Sequence, residues 1–299
     1  MPEDRRMNAP DARLPTPASV DVATADDDTD VARWLDAALA PAWPVPPEAE
    51  AHAPAVRERL QRRMSASRAA EAMMVTTRLR RARVSALADG VTARTLYAAQ
   101  AGSALRPGEP QRVRLFELAA GARLDPAIWG DDTTLRARHR EWLVLAGDIT
   151  LGSVTLAARD YHVTPAGHAT PACASTQGAR VFLRESDAAA RAGDTSLTVR
   201  DADGGWPDYA AGIQRRVLWQ RDGQAALLYR AQPGAQVPHH SHGHDEECLM
   251  VQGELFLDDV LLQAGDYQLA PAGSAHQTTS TDTGVIIYAH GDLDLRFVD

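Results

Sequence analysis

The chain has 299 residues, 44% of them hydrophobic, and a formal net charge of −9, room for two domains with a core each and a balance unlike that of a generic nucleic-acid binder, which carries a basic face. No apolar run is long enough to cross a bilayer, and the opening MPEDRRMNAPDARLPTP lacks the hydrophobic stretch of a secretory signal, so a cytoplasmic location is expected. Cys173 and Cys248 are too few for a disulfide framework and form no Cys-x-x-Cys pair, and the basic charge is arginine, which leaves no lysine for a Schiff base.

Residues 1–28 are rich in Pro, Ala and Asp without periodicity and read as a disordered lead. A helical arm is predicted over 29–85. In it Val31, Trp34, Leu35, Ala38 and Leu39 recur at helical spacing, with Asp28 to Asp30 available as a cap. Prolines 41, 44, 46 and 47 predict an extended link, after which Ala55–Arg63 reads as a second short helix and Ala69–Val84 as the place of a third. Asp26, Asp27, Asp28 and Asp30 are acidic, whereas Arg57 to Arg83 is crowded with arginine. A solvated helix face is the ordinary meaning of such a run, and an acidic partner surface is the alternative. The arm is expected to pack on the following domain or to support a homodimer.

Two later stretches repeat each other. GVTARTLYAA at Gly90 parallels GIQRRVLWQR at Gly212, RVRLFELAAGARL at Arg112 parallels AALLYRAQPGAQV at Ala225, and EWLVLAG at Glu141 parallels ECLMVQG at Glu247. RDYHVTPAG at Arg159 then parallels AGDYQLAPAG near Gly265, and the displacement of the last two pairs is constant, since 247 minus 141 and 271 minus 165 both give 106. The copies occupy 86–184 and 209–299. The Asp- and Gly-rich stretch 185–208 reads as a linker, with an added edge strand at Thr195–Val199.

The second copy carries the chemistry. His240 and His242 alternate, so an extended strand puts both on one face. Glu246 follows four residues on, and His276 lies on a later strand brought back by a hairpin. Three imidazoles and a carboxylate suit one divalent first-row metal ion. Strand alternation sends Glu247, the rival carboxylate, to the opposite face. His239 and His244 read as loop histidines, and His290 falls too late for the set. Cys248 and Met250 continue the face of Glu246, so Cys248 is expected near the metal as a small buried hydrophobe, or, if accessible, as a redox-sensing thiol.

The pattern Gly234, His240-x-His242, Glu246, Gly253, followed by Gly265, Pro271-x-Gly273 and His276, resembles the two motifs of the cupin superfamily; Ser280 stands where the second motif usually has Asn, which is not a ligand. The doubled Glu246-Glu247 and the ending PAGSAH are most similar to the cupin half of ChrR-type anti-sigma factors. The resemblance implies a mainly β protein of two tandem cupin (jelly-roll) β-barrels preceded by a short helical N-terminal arm. It implies one metal per chain, zinc favoured, with iron, manganese or nickel as the other candidates. The arm has His52 but no cysteine, so the zinc motif of ChrR-type sigma-binding domains is missing. The first copy places Thr134, Arg136, Arg140 and Thr170 at the ligand positions and is predicted to be a degenerate barrel without a metal. A displaced site from His139, His162, His168 and Glu141 is the alternative, and Arg136 with Arg140 would suit an anion. Two functions follow from the resemblance: a regulatory metal-binding sensor with a protein partner or a small-molecule ligand, and a metal-dependent cupin dioxygenase. Neither nucleic acid nor membrane is an expected partner.

Overall fold

The computed structural model describes residues 47–100, 102, 105–128 and 138–298. The expected lead at 1–28, the helix from Val31 to Leu39, prolines 41, 44 and 46, and the positions Thr134 and Arg136 lie outside them. The chain divides into two compact units, Met1–Arg62 and Arg63–Asp299, and both barrels belong to the second. One helix, Pro47–Met73, replaces the two short helices expected there. Pro47 opens it, as proline does at a first helical position. Pro54 lies inside it, and from Ala55 onward no further breaker interrupts a run of Ala, Arg, Glu and Met. The predicted third helix does not extend to Val84. The β-branched run Val75–Thr77 is a strand, and Val84–Ala88 is another.

Two sheets carry the two copies. In the first, the strands 197–199, 161–164, 139–151, 179–186, 110–118, 91–98 and 84–88 lie side by side in that order; in the second the order is 75–77, 267–270, 246–257, 285–292, 224–231, 213–221 and 208–210. The edge strands are exchanged. Val75–Thr77 precedes the first copy yet pairs antiparallel with Tyr267–Leu269 of the second, while Leu197–Val199 precedes the second copy yet pairs with Tyr161–Val163 of the first. The predicted linker therefore contributes an edge strand, at Leu197–Val199.

The exchanged segments are themselves a repeat. Arg78 bonds the Asp266 carboxylate at 2.9 Å and the Leu261 carbonyl, and Leu79 N–H donates to Asp266 at 2.9 Å. In the other half Arg200 bonds Asp160 at 2.9 Å and the Thr155 carbonyl, and Asp201 N–H donates to Asp160 at 2.8 Å.

Each sheet is buried on both faces, which is why its central strands read as nearly unbroken apolar runs. Along 139–151, Trp142 and Val144 enter the core of the first barrel, whereas Leu143 faces the second copy. Along 246–257, Cys248 and Met250 enter the second barrel and Leu249 faces the first. The apolar layer between the copies includes Leu96, Phe182, Leu228 and Tyr288. The motif glycine Gly253 has φ of +79°, and a Cβ there would lie 2.2 Å from the Gly284 carbonyl oxygen; Gly147, its repeat partner, has φ of +72° and the same close approach, 2.0 Å from the Gly178 carbonyl oxygen.

Candidate metal centre

The strand pair His240–Ser241 and Ala275–His276 sets His240 directly opposite His276. His242 lies two residues beyond His240, its N–H donating to the Ser274 carbonyl at 3.0 Å. Glu246 opens the long strand 246–257 opposite Ala270. These elements bring the four predicted residues together. Donor atoms of His240, His242 and Glu246 all lie within 4.8 Å of one another. The His276 ring centroid is 5.7 Å from that of His240 and 5.1 Å from that of His242. All three imidazoles are buried.

The ring orientations are fixed from behind. His240 Nδ1 is 2.9 Å from the Pro238 carbonyl, and His276 Nδ1 is 3.2 Å from the Asp258 carboxylate. Asp258 in turn accepts the N–H groups of Gln277 at 2.6 Å and Thr278 at 3.1 Å. Holding a proton on Nδ1 leaves the Nε2 lone pair for a ligand, the usual support of a metal-binding histidine. The buried Nε2 atoms of His242 and His276 have no hydrogen-bond partner, an unfavourable state unless something else occupies them. Burial, followed by the neighbouring His276, lowers the His242 pKa to about 4, and burial also lowers that of His240. Burial thus favours the neutral form of these two rings, the form a metal takes. Burial raises the carboxyl pKa of Glu246, against the pull of the imidazoles. A buried donor set of three imidazoles and one carboxylate, with orphaned nitrogens, fits a divalent cation.

The flanking histidines stay outside the set. His244 Nδ1 is 2.5 Å from Asp292, and His239 contacts Gln277. Cys248 is buried on the barrel side of its strand, and burial, then the Glu246 charge, pushes its thiol pKa well up. It is a packed hydrophobe, without the thiolate character of a reactive cysteine.

Residues 194–294 match the family model of the ChrR cupin-like domain. The match spans the second barrel, which is similar to the ChrR cupin-like domain, and the two barrels together have the tandem jelly-roll fold. Solved structures agree on the fold of the bicupin. A dioxygenase candidate from Nostoc punctiforme has a TM-score of 0.57 at 15% identity, over 75% of this chain and 84% of that one. Protein Ylba from E. coli has a TM-score of 0.56 at 13% identity, over 76% and 93%. The oxalate decarboxylase of Lactobacillus farciminis has a TM-score of 0.52 at 12% identity, over 74% and 87%. No curated protein matches the sequence.

In the first barrel of this bicupin, Arg140 occupies the place of Glu246, wholly buried, and donates to the His168 carbonyl at 2.9 Å. Thr170, at the place of His276, is also buried. The alternative displaced site does not assemble. His162 bonds Thr198 and His168 bonds the Asp194 carbonyl, while His139 and Glu141 face the other barrel. Among the described residues no second group of three donors converges as the first does.

The sequence did not reveal what Glu141 and Glu247 do together. Both are buried between the barrels, and Arg184 joins them, at 2.8 Å to Glu141 and 2.6 Å to Glu247. Tyr161 and Tyr288 donate to Glu141 at 2.5 and 2.9 Å, and Tyr267 donates to Glu247 at 2.8 Å. His290 Nε2 stands 3.4 Å and His139 Nε2 3.7 Å from Glu141. Burial opposes the Glu141 charge, but His290 and Arg184 outweigh it and hold its pKa well below the usual carboxylate range. The Glu-Glu pair of the motif is thus divided: Glu246 serves the barrel, and Glu247 joins it to its neighbour. The signal available in sequence was the repeat itself, which pairs Glu141 with Glu247 and Tyr161 with Tyr267.

Proposed function

We propose that the protein is a cytoplasmic metal-binding bicupin of ChrR-like type with a regulatory or sensing role, its metal held by His240, His242, Glu246 and His276. The observation that carries the reading is the pair of buried, unpartnered Nε2 atoms on His242 and His276 beside His240 and Glu246. The ChrR cupin-like match covers all four residues. Four protein donors, with His240 and His276 held from behind by Pro238 and Asp258, describe a site built to retain an ion. Zinc is the favoured occupant and signalling passes to a protein partner or a small molecule. The arm lacks the cysteine zinc motif of ChrR-type sigma-binding domains, so the partner of this chain differs from theirs.

One observation favours a second reading. Glu246 accepts no hydrogen bond among the described residues, its only polar approach being His242 at 3.4 Å, and its side chain is 17% exposed. A carboxylate so loosely held is free to leave the ion and take up a proton, as a metal-dependent dioxygenase acting on a small organic substrate requires. A redox-active ion would supply Lewis acidity and oxygen binding.

Elemental mass spectrometry of the purified protein beside His240→Ala separates the readings. About one zinc per chain, lost in the variant, supports the sensor. Iron, manganese or nickel at that stoichiometry, with substrate-dependent oxygen uptake, supports the dioxygenase. Metal content unchanged in the variant overturns both.

A further inference from the structure

One recess of the molecule has none of the four candidate metal donors in its lining. It is a cleft of about 570 Å³ between the two copies, bordered by the segment Arg78–Arg81, by Arg94, Glu117 and Arg180 of the first sheet, and by Leu261–Asp266 of the second. Five of its lining residues are arginines and two are carboxylates, in a protein whose net charge is −9. Both carboxylates are already engaged. Asp266 is bonded by Arg78, by Leu79 N–H and by Gln263 N–H. Glu117 is shared by Arg94 at 3.2 Å and Arg180 at 3.3 Å. Arg80 and Arg81 are exposed, and their side chains have no hydrogen bond or ion pair among the described residues.

The repeat supplies an internal comparison. Segment 78–81 corresponds to 200–203, and strand residue Arg94 to Arg216, because 200 minus 78 and 216 minus 94 both give 122. In the second half the residue after the anchoring arginine is Asp201, whose carboxylate bonds Arg216 at 2.8 Å and Arg159 at 2.6 Å. In the first half that position is Leu79, which packs on Gly265, the repeat partner of Arg159. The following residues change sign as well, Arg80 and Arg81 standing where the other half has Ala202 and Asp203. One half thus neutralises its strand arginine with Asp201 of the exchanged segment, whereas in the first half Arg94 pairs with Glu117 of the neighbouring strand. The exchanged segment of the first half has no carboxylate, carries two added arginines and borders a cleft.

We propose that the cleft bordered by Arg80, Arg81 and Arg94 binds a small oxyanion-bearing ligand, a phosphorylated or polycarboxylate molecule, whose anionic group supplies the negative charge that the other half carries in its exchanged segment at Asp201 and Asp203. Guanidinium forks match both kinds of oxyanion, and the volume is that of a small-molecule site.

The test is calorimetric titration of the full chain, carrying its metal, with inorganic phosphate and separately with succinate, against chloride at equal ionic strength. The expected result is saturable binding of one or both oxyanions, about one per chain, with the two arms telling phosphate from carboxylate. Arg80→Ser/Arg81→Ser weakens it roughly tenfold or more. Both side chains are exposed and unpaired, so the ligand-free thermal midpoint of that variant stays that of the wild type, and Arg94→Gln, on a different strand, provides a second test in the same direction. His240→Ala leaves binding unchanged. Heat indistinguishable from chloride, full affinity in both arginine variants, or loss of binding in His240→Ala, which would put the anion at the metal, each overturns the proposal.

Discussion

Replacing Arg184 by Met would leave Glu141 and Glu247 facing each other between the barrels without their common cation. Arg184 lies 2.8 Å from one carboxylate and 2.6 Å from the other, with all three side chains 1% exposed, and it also donates to the Gly108 carbonyl at 2.5 Å. Removing one member of a buried ion pair costs about 3–5 kcal/mol. Here one cation serves two anions, so the upper end applies. A second route to the number agrees: if one carboxyl escapes by taking a proton at pH 7, raising its pKa from about 4.3 to above 7 costs roughly 4 kcal/mol. The three tyrosine hydroxyls remain as donors and limit the loss. Urea unfolding with linear extrapolation measures it. Arg184→Lys, which keeps the charge but not the fork, should fall between wild type and Arg184→Met. The triple change Glu141→Gln/Arg184→Met/Glu247→Gln should recover much of the loss, because it removes the stranded charges. A loss below about 1 kcal/mol for Arg184→Met, or a triple variant no more stable than the single one, would refute the assignment of this cluster as a compensated buried ion network.

Glu246→Gln should lower bound metal, whereas Glu247→Gln should keep the metal and lose stability; elemental analysis beside urea unfolding distinguishes neighbouring carboxylates on opposite faces of one strand. Asp258→Asn, which weakens the support behind His276, should reduce metal affinity by about 10- to 100-fold with the four donors intact, read by competition with a chelator. Burial holds the His139 pKa down to about 4, below its value in the unfolded chain. The associated stability is therefore fully present above about pH 6.5 and is lost as pH falls toward 4, on the order of 3 kcal/mol at most. His139→Phe should flatten the pH dependence of the unfolding free energy across that window, and an unchanged slope would remove His139 as its source.

The convergence of the four candidate metal donors was legible in the sequence because their spacing is local. The His-x-His alternation, Glu246 four residues on, and the Gly and Pro turns before His276 specify which side chains share a face, and the internal repeat pointed to two barrels. The opposite fates of Glu246 and Glu247 followed from strand alternation alone, although the destination of Glu247 did not. The arm was harder to read. Ala, Arg and Glu promise a helix up to Val84, but Val75–Thr77 found an unpaired strand at Tyr267–Leu269 of the second sheet, and a backbone ladder outweighs a weak local preference. Exchange of edge strands, the joining of Glu141 and Glu247 through Arg184, and the arginine cleft beside Leu79 all depend on residues far apart in sequence meeting across two barrels. Periodicity and motif spacing carry information within a strand or hairpin; the pairing of buried charges between sheets is set by how the sheets pack, and only the tertiary structure decided it.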